Sequence, residues 1–569
     1  MQSHKKLTFG FLPLLMSILM LILAACGSSG STTPGQTGTA SKAPEGKQVM
    51  RYPVVGDIAT FDPALVQDTD SNFPVQAVFT GLVTLDDKLS VTPQLAKSWQ
   101  VSPDGLTYTF TLKDNLKFSD GTPLTSQDVI YSINRTILPA TKSAVSYYLA
   151  QIKDYDKANN GKISTLIGDS LMAPDAKTVA ITITKPGAYF LQALTYPTSY
   201  VVNKKLVDQY GATWTDHEAE GAGSGPFKVQ KYSHTTGITL VRNDNYYGKK
   251  SQIATLSVPF YNDQDGMYKA YQANQLDYSP VPPGEIANAQ SIKGFTTVQL
   301  LVIRYLSMNY LSKPFDNIKI RQAFALAVNK DVIVQSALHG AFTPTNHIIP
   351  QGMPGYYPAL TGPDGVASTS GNATTAKQLL QDGLKEEGLT KLPAVTMTYY
   401  PRNQQFKDAL TAVTQMWSTV LGATVKVNVV ARAKLLGLED ATKNNANGLQ
   451  IWQAGWSADY PDPQDWLSTF FTKGADYNQF NYGQNTTSVA TAQQAVEDTL
   501  AKADATSDNT QRMQLYNDAE QKIINDVGWL PLWQERQQTL VRPTVQGLVL
   551  NAQLLVPPDD WGTIFISNK

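Results

Sequence analysis

Residues 106–112 read LTYTFTL, an alternation with Leu106, Tyr108, Phe110 and Leu112 on one side and three threonines on the other. A period of two, built from aromatic and β-branched residues, predicts a strand with one buried face. Pro103-Asp104-Gly105 before it and Ser119-Asp120-Gly121 after it supply turn chemistry. The period then changes. Thr125 and Asp128 have the spacing of a capping box, and Val129, Ile130 and Ile133 follow, so a helix is expected to start there. Ile320, Phe324, Ala327 and Val328 predict a second helix with a core stripe, and Tyr516, Ala519 and Ile523 a third. Interleaved strand and helix signals make the body mixed α/β. These stripes are packing features and carry no functional message.

The amino terminus has a different pattern. His4, Lys5 and Lys6 precede an uncharged apolar run over residues 7–25, which reads as a secretory signal. The run ends Leu23-Ala24-Ala25-Cys26-Gly27, and small residues before a lone cysteine resemble a bacterial lipobox. Cys26 is therefore expected to be lipidated and to become the first residue; a single membrane-spanning anchor is the competing reading. Residues 27–48 are small and polar with no periodicity, as a flexible tether would be. Such a tether spans roughly 25 Å. Everything after it is expected outside the cytoplasm, on the outer face of the cell membrane or facing a periplasm.

Composition removes several function classes. The chain has 569 residues, enough for two to four domains at roughly 150 residues each. Its 46 basic and 47 acidic residues nearly cancel, which argues against a nucleic-acid binder that relies on a basic field. One cysteine excludes an intrachain disulfide framework, a thiolate zinc site and an iron–sulfur cluster. The five histidines are scattered, and none has metal-ligand spacing. No cofactor or metal is expected.

Searches for catalytic motifs mostly fail. Residues 221–225 read GAGSG, which puts Ser224 out of register for a nucleophile elbow. Gly161-Lys162 lacks the remainder of a phosphate-binding loop. Asp68, Asp70 and Asn72 open like a calcium loop, but Phe73 and Phe79 occupy the positions that need glycine and glutamate. The one dense carboxylate cluster is Asp459, Asp462 and Asp465, within GWSADYPDPQDW. It could do glycosidic acid–base work, or it could be a proline-rich loop whose aspartates cap turns.

Several blocks resemble one family. Residues 61–63 (FDP), 79–85 (FTGLVTL), 102–131, 223–247, 314–331, 455–463 (GWSADYPDP) and 540–548 (LVRPTVQGL) occur in the order found in the family 5 solute-binding proteins of bacterial ABC importers, the peptide- and nickel-type group. The resemblance covers nearly the whole chain after the tether. It implies an α/β, two-lobed periplasmic-binding-protein fold of the large peptide-binding type, with three subdomains, a hinge and an interlobe ligand cleft. Carried across, lobe one comprises residues 49–93, 196–303 and 535–569. An inserted subdomain covers 94–195, lobe two covers 304–534, and the hinge lies near 304–309 and 532–535.

The resemblance also implies a role and a site. The chain would be a monomeric binding protein, not an enzyme, that captures peptides and delivers them to a membrane permease. Asp459 matches the position that holds a peptide's ammonium, with Trp456 as an apolar wall and Ser457 beside it. Val66, Gln67, Asp68 and Thr69 lie where the family's binding loop falls, pairing with the ligand as an added strand would. Tyr147 and Tyr148 are further cleft candidates. Gln453 stands at a position that is sometimes basic, and no arginine lies between Arg432 and Arg512, which leaves recognition of the peptide's carboxylate open. Two alternatives remain: the same fold with an oligosaccharide, nickel-chelate or other cargo, and an extracellular hydrolase built on the Asp459 cluster.

Overall fold

The structure is a computed structural model that describes residues 41–475, 477–487 and 489–568. One compact unit runs from Lys42 onward. The expected signal, Cys26 and the first part of the tether lie outside the described residues.

The predicted strand forms as Thr107–Leu112, with Tyr108, Phe110 and Leu112 buried and the threonines turned outward. It is the second strand of a four-stranded antiparallel sheet, in the order Ala96–Val101, Thr107–Leu112, Thr178–Thr182, Leu171–Asp175. The helix Ser126–Ile137 packs on this sheet. Its capping box is complete: the Thr125 amide donates to Asp128 at 2.8 Å, which satisfies one terminal group while the Thr125 side chain meets the first turn. Phe110, Val129, Ile133 and Leu149 share the core beneath.

A five-stranded sheet holds a second core. Val49–Arg51 pairs parallel to Thr255–Tyr261, which continues antiparallel into Gly237–Arg242 and Phe227–Ser233. Here the Phe61-Asp62-Pro63 block has a structural function. Asp62 is buried, accepts from the Ala64 amide at 3.0 Å and pairs with Arg135, and Trp214 Nε1 reaches it at 3.3 Å. That anchors the segment leading into residues 66–69.

The third sheet has seven strands and carries separate cores on its two faces. Its spine is the antiparallel pair Phe295–Met308 and Leu530–Val541. Ile451–Ser457 lies on the other side of Phe295–Met308, followed by Val395–Tyr399 and the edge strand Val425–Val429. The spine is irregular in its middle. Pairing stops at Gln299–Arg536 and resumes at Ile303–Gln534. Gln534 fills the break: its Nε2 donates to the carbonyls of Leu300 at 2.7 Å and Gln351 at 2.9 Å, and its Oε1 accepts from the Gln351 amide.

Two sequence expectations need correction. The stripe over 320–328 predicts one helix, but the helix ends at Leu326, because the Asn372 amide takes the Leu326 carbonyl and Asn329 caps a new helix, Lys330–Ser336. Ala327 and Val328 are buried in the linker between the two helices. The polar stretch up to residue 48 is not all free tether. From Lys42 on it is docked: the Ala43 amide donates to Ile566 O, and buried Gln48 bonds Ala43 O, Ile566 O and the Ile566 amide. The helix Asn509–Asn525 forms as expected, with Tyr516, Ala519 and Ile523 fully buried.

That last helix also buries a carboxyl. Glu520 accepts from the Ile348 and Ile349 amides at 2.8 and 2.9 Å, and burial pushes its pKa up to about 7. A raised folded-state pKa means stability that is complete below the ordinary value of 4.5 and is lost as pH rises toward 7. Glu520→Gln keeps an acceptor oxygen and cannot ionise. The variant should gain stability over the parent as pH rises from 5 to 8, by a few degrees in Tm at the upper end. Melting curves that stay parallel across that range would overturn the assignment.

Candidate functional site

Strand Ile451–Ser457 delivers the loop that carries the carboxylates. Gly455, Trp456 and Ser457 each do something different. Gly455 faces Arg304 across the strand pair, and a Cβ on it would lie 2.2 Å from the Arg304 guanidinium. Its bareness lets Arg304 lie across the strand and donate to Glu535 Oε1 at 2.6 Å. Arg402, just past Val395–Tyr399, donates to the same oxygen at 2.8 Å. Burial raises the Glu535 pKa, but the two guanidiniums outweigh it and hold the group below its ordinary value.

On the other face, Trp456 packs against Phe470 and Tyr477, with ring centroids 4.8 and 5.0 Å away. Its Nε1 donates to Asp465 Oδ2 at 3.2 Å, an oxygen that also accepts from the Asp459 amide at 2.9 Å. The three aspartates therefore have three different roles. Asp462 caps the short helix Pro463–Asp465 and is gripped on both oxygens by Arg512 at 2.8 Å, with both side chains buried. Asp465 is buried, and burial followed by the charge of Asp459 raises its pKa well above the usual carboxylate range. Asp459 projects from the loop and accepts from Tyr147 Oη at 3.2 Å. Desolvation raises its pKa to about 6, partly offset by Tyr148 and Tyr147. Burial thus pushes Asp465 further toward its neutral form than Asp459, which leaves Asp459 the more acidic of the pair.

Asp459 borders two spaces. One, of about 200 Å³, is lined by Gln67, Asp68, Asn72, Tyr196, Leu301 and Ser457, among others. The other, of about 420 Å³, is lined by Tyr147, Tyr148, Tyr189, Tyr460 and Tyr477, with Asp465 also present. A tyrosine stack stands between them. Tyr148 lies 4.6 Å from Tyr147 and 3.9 Å from Tyr196, with rings nearly parallel. Tyr460 meets Tyr148 edge-on at 6.3 Å and stacks on Tyr189 at 6.0 Å.

The structure thus brings together Asp459, Ser457, Gln67, Asp68 and Tyr148. It departs from the sequence reading at four other positions. Trp456 lines neither space; it positions Asp465. Gln453 is buried in the seven-stranded sheet opposite Leu306 and lines neither space. Val66 is fully buried, and its carbonyl already accepts from Tyr196 Oη at 3.1 Å. Thr69 begins the helix Thr69–Val78, so residues 66–69 do not run on as an open strand edge. Asp68 caps that helix by accepting from the Ser71 amide at 2.8 Å, which also explains the false calcium-loop spacing. Tyr189, Tyr196, Tyr460, Arg304 and Arg402 went unrecognised, because nothing periodic marks them.

This arrangement suits binding a cation, not bond cleavage. Two neighbouring carboxyls whose surroundings push their pKa values up to different extents resemble an acid–base pair. Asp465, however, spends its Oδ2 on Trp456 and Asp459 and is 2% exposed, so it does not reach a substrate. Among the described residues, no group of three or more histidine, cysteine or carboxylate side chains is placed to hold a metal ion.

Comparison with known proteins agrees. Residues 90–478 match the family described as bacterial extracellular solute-binding proteins, family 5. The chain is 28% identical over 528 residues to the oligopeptide-binding protein OppA of Bacillus subtilis, covering 91% of this chain and 93% of that protein. It is 30% identical over 487 residues to a dipeptide-binding protein of Lactococcus lactis, covering 82% and 84%. Its fold is similar to that of the periplasmic murein tripeptide-binding protein MppA in an unliganded open form, with TM-score 0.77 and 23% identity over 94% of this chain and 99% of that one. The two-lobed α/β binding-protein architecture is therefore the fold of this chain.

Gly455→Ala tests the local argument. The added methyl collides with Arg304 and should cost about 1–3 kcal/mol, as overpacking does. A thermal melt indistinguishable from the parent's would show that Arg304 can leave its place without loss.

Proposed function

Because the chain belongs to the family 5 bacterial extracellular solute-binding proteins, whose members bind solutes and are not enzymes, we propose that it captures peptides with a free amino terminus and hands them to an ABC permease. The observation that carries this is the Asp459 carboxylate, which borders both spaces between the tyrosine-bearing insert and the loop after Ile451–Ser457. A desolvated carboxylate met by the neutral hydroxyls of Tyr148 and Tyr147 gains from an ammonium, which supplies both charge and donors. Gln67, Asp68 and Ser457 offer polar groups along the smaller space, where the ligand's amides and carbonyls need partners.

The other end of a peptide needs the opposite sign. Arg304 and Arg402 share one carboxylate, Glu535, so the trio keeps one net positive charge. Arg402 is the more exposed of the two arginines and is assigned here as the partner of the ligand's carboxylate. Capture is by hinge motion between the lobes, with residues 304–309 and 532–535 as the crossing and the break at Gln534 as its compliant point. Lipidation of Cys26 keeps the protein at the outer face of the membrane.

Asp459→Asn should weaken free-amine peptides by at least about tenfold and N-acetylated ones far less. Equal losses for both, by calorimetric titration, would remove the assigned role. In the parent, affinity for free-amine peptides should fall as pH drops below about 6, because the proton on Asp459 must then leave; the Asn variant should be flat there. Arg402→Gln should weaken peptides with a free carboxyl more than their carboxamides, and no difference between the two would reassign the arginine.

A further inference from the structure

The two spaces that meet at Asp459 differ in chemistry. The smaller has hydrogen-bonding residues, Gln67, Asp68 and Asn72, opposite Ser457. The larger lies beyond the Tyr148–Tyr196 stack. Its walls are the rings of Tyr148, Tyr189, Tyr460 and Tyr477, its inner end holds Asp465, and exposed Lys185 stands among its lining residues. The carbon that bears a peptide's ammonium carries two other substituents, the carbonyl and the side chain. With the ammonium on Asp459, the carbonyl leads a backbone that needs polar partners, and the side chain needs a room of its own.

We propose that the larger chamber receives the side chain of the ligand's first residue and that its tyrosine walls select a large aromatic one. This rests on the peptide reading above and extends it to ligand class. At about 420 Å³ the chamber has the size of a small-molecule pocket. Tyrosine rings give an aromatic guest edge-to-face and offset contacts that an aliphatic chain cannot match. Asp459 borders the chamber and Asp156 lies in its lining, two carboxylates against Lys185, so a carboxylate on the first side chain meets like charge and is disfavoured relative to a ring. The chamber is assembled from residues 147–156 and 184–189 on one side and 459–477 on the other, so its walls come from segments far apart in the chain.

The test is calorimetric titration of the purified full chain with Phe-Ala-Ala, Gly-Ala-Ala and Asp-Ala-Ala, and with phenethylamine alone. Phe-Ala-Ala should bind about tenfold or more tighter than Gly-Ala-Ala, the gain from burying a ring, and Asp-Ala-Ala should bind more weakly than either. Ala150 is exposed and lines the chamber, so Ala150→Trp fills it from the surface. With folding verified by a thermal melt, that variant should bring the Phe-to-Gly affinity ratio to about one. Equal affinities for Phe-Ala-Ala and Gly-Ala-Ala in the parent would overturn the chamber and leave the peptide reading standing, and so would a ratio untouched by Ala150→Trp. Phenethylamine binding that is lost in Ala150→Trp, with no peptide bound, would keep the chamber and sink the peptide reading. No binding of any probe would overturn both.

Discussion

The site depends on keeping one carboxylate charged where water is scarce. Three aspartates in seven residues repel one another, and a loop this compact cannot hold all of them ionised without partners. Each is settled differently. Asp462 is neutralised by the buried fork of Arg512. Asp465 is pushed toward its neutral form by burial and by the charge of Asp459, with one oxygen held by Trp456 and the Asp459 amide. Asp459 alone keeps an ionised carboxylate with room beside it. The proline-rich loop, the orientation of Trp456 and the depth of the strand before it all serve that division of labour.

Local signals were legible where local chemistry decides. The alternation over 107–112 and the Thr125–Asp128 cap each depend on residues within a few positions, and both appear as the pattern predicts. The helix over 320–328 was misread at its end because the Leu326 carbonyl is claimed by Asn372, 46 positions on, which no periodicity reports. The same limit applies to the docked segment at 42–48: Gln48 is buried by main-chain groups of Ile566, 518 residues away.

In the site, the family resemblance pointed to Asp459, Ser457 and the segment at 66–69, but it did not say which face each side chain takes, and Val66 turns out buried and Thr69 helical in place of an open edge. Trp456 follows Gly455 on a strand, so period two puts it on the face opposite Arg304 and into packing with Phe470. The remaining tyrosines were harder still. Tyr148 is already a cleft candidate from the sequence, but Tyr189, Tyr196 and Tyr460 come from separate turns and short helices and join it only in three dimensions. In the sequence they are three among 27 tyrosines.

The clamp between the two ends of the folded unit has a mechanical meaning. Lys42 bridges Ser567, the Ala43 amide holds Ile566 O, and Gln48 bonds the Ile566 main chain in both directions. A pull applied ahead of Lys42 first loads these bonds, and the strand Val49–Arg51 lies behind them. Tension is taken up at the seam where the first and last segments of the folded unit meet, and it must break that seam before it can reach the sheets that frame Asp459.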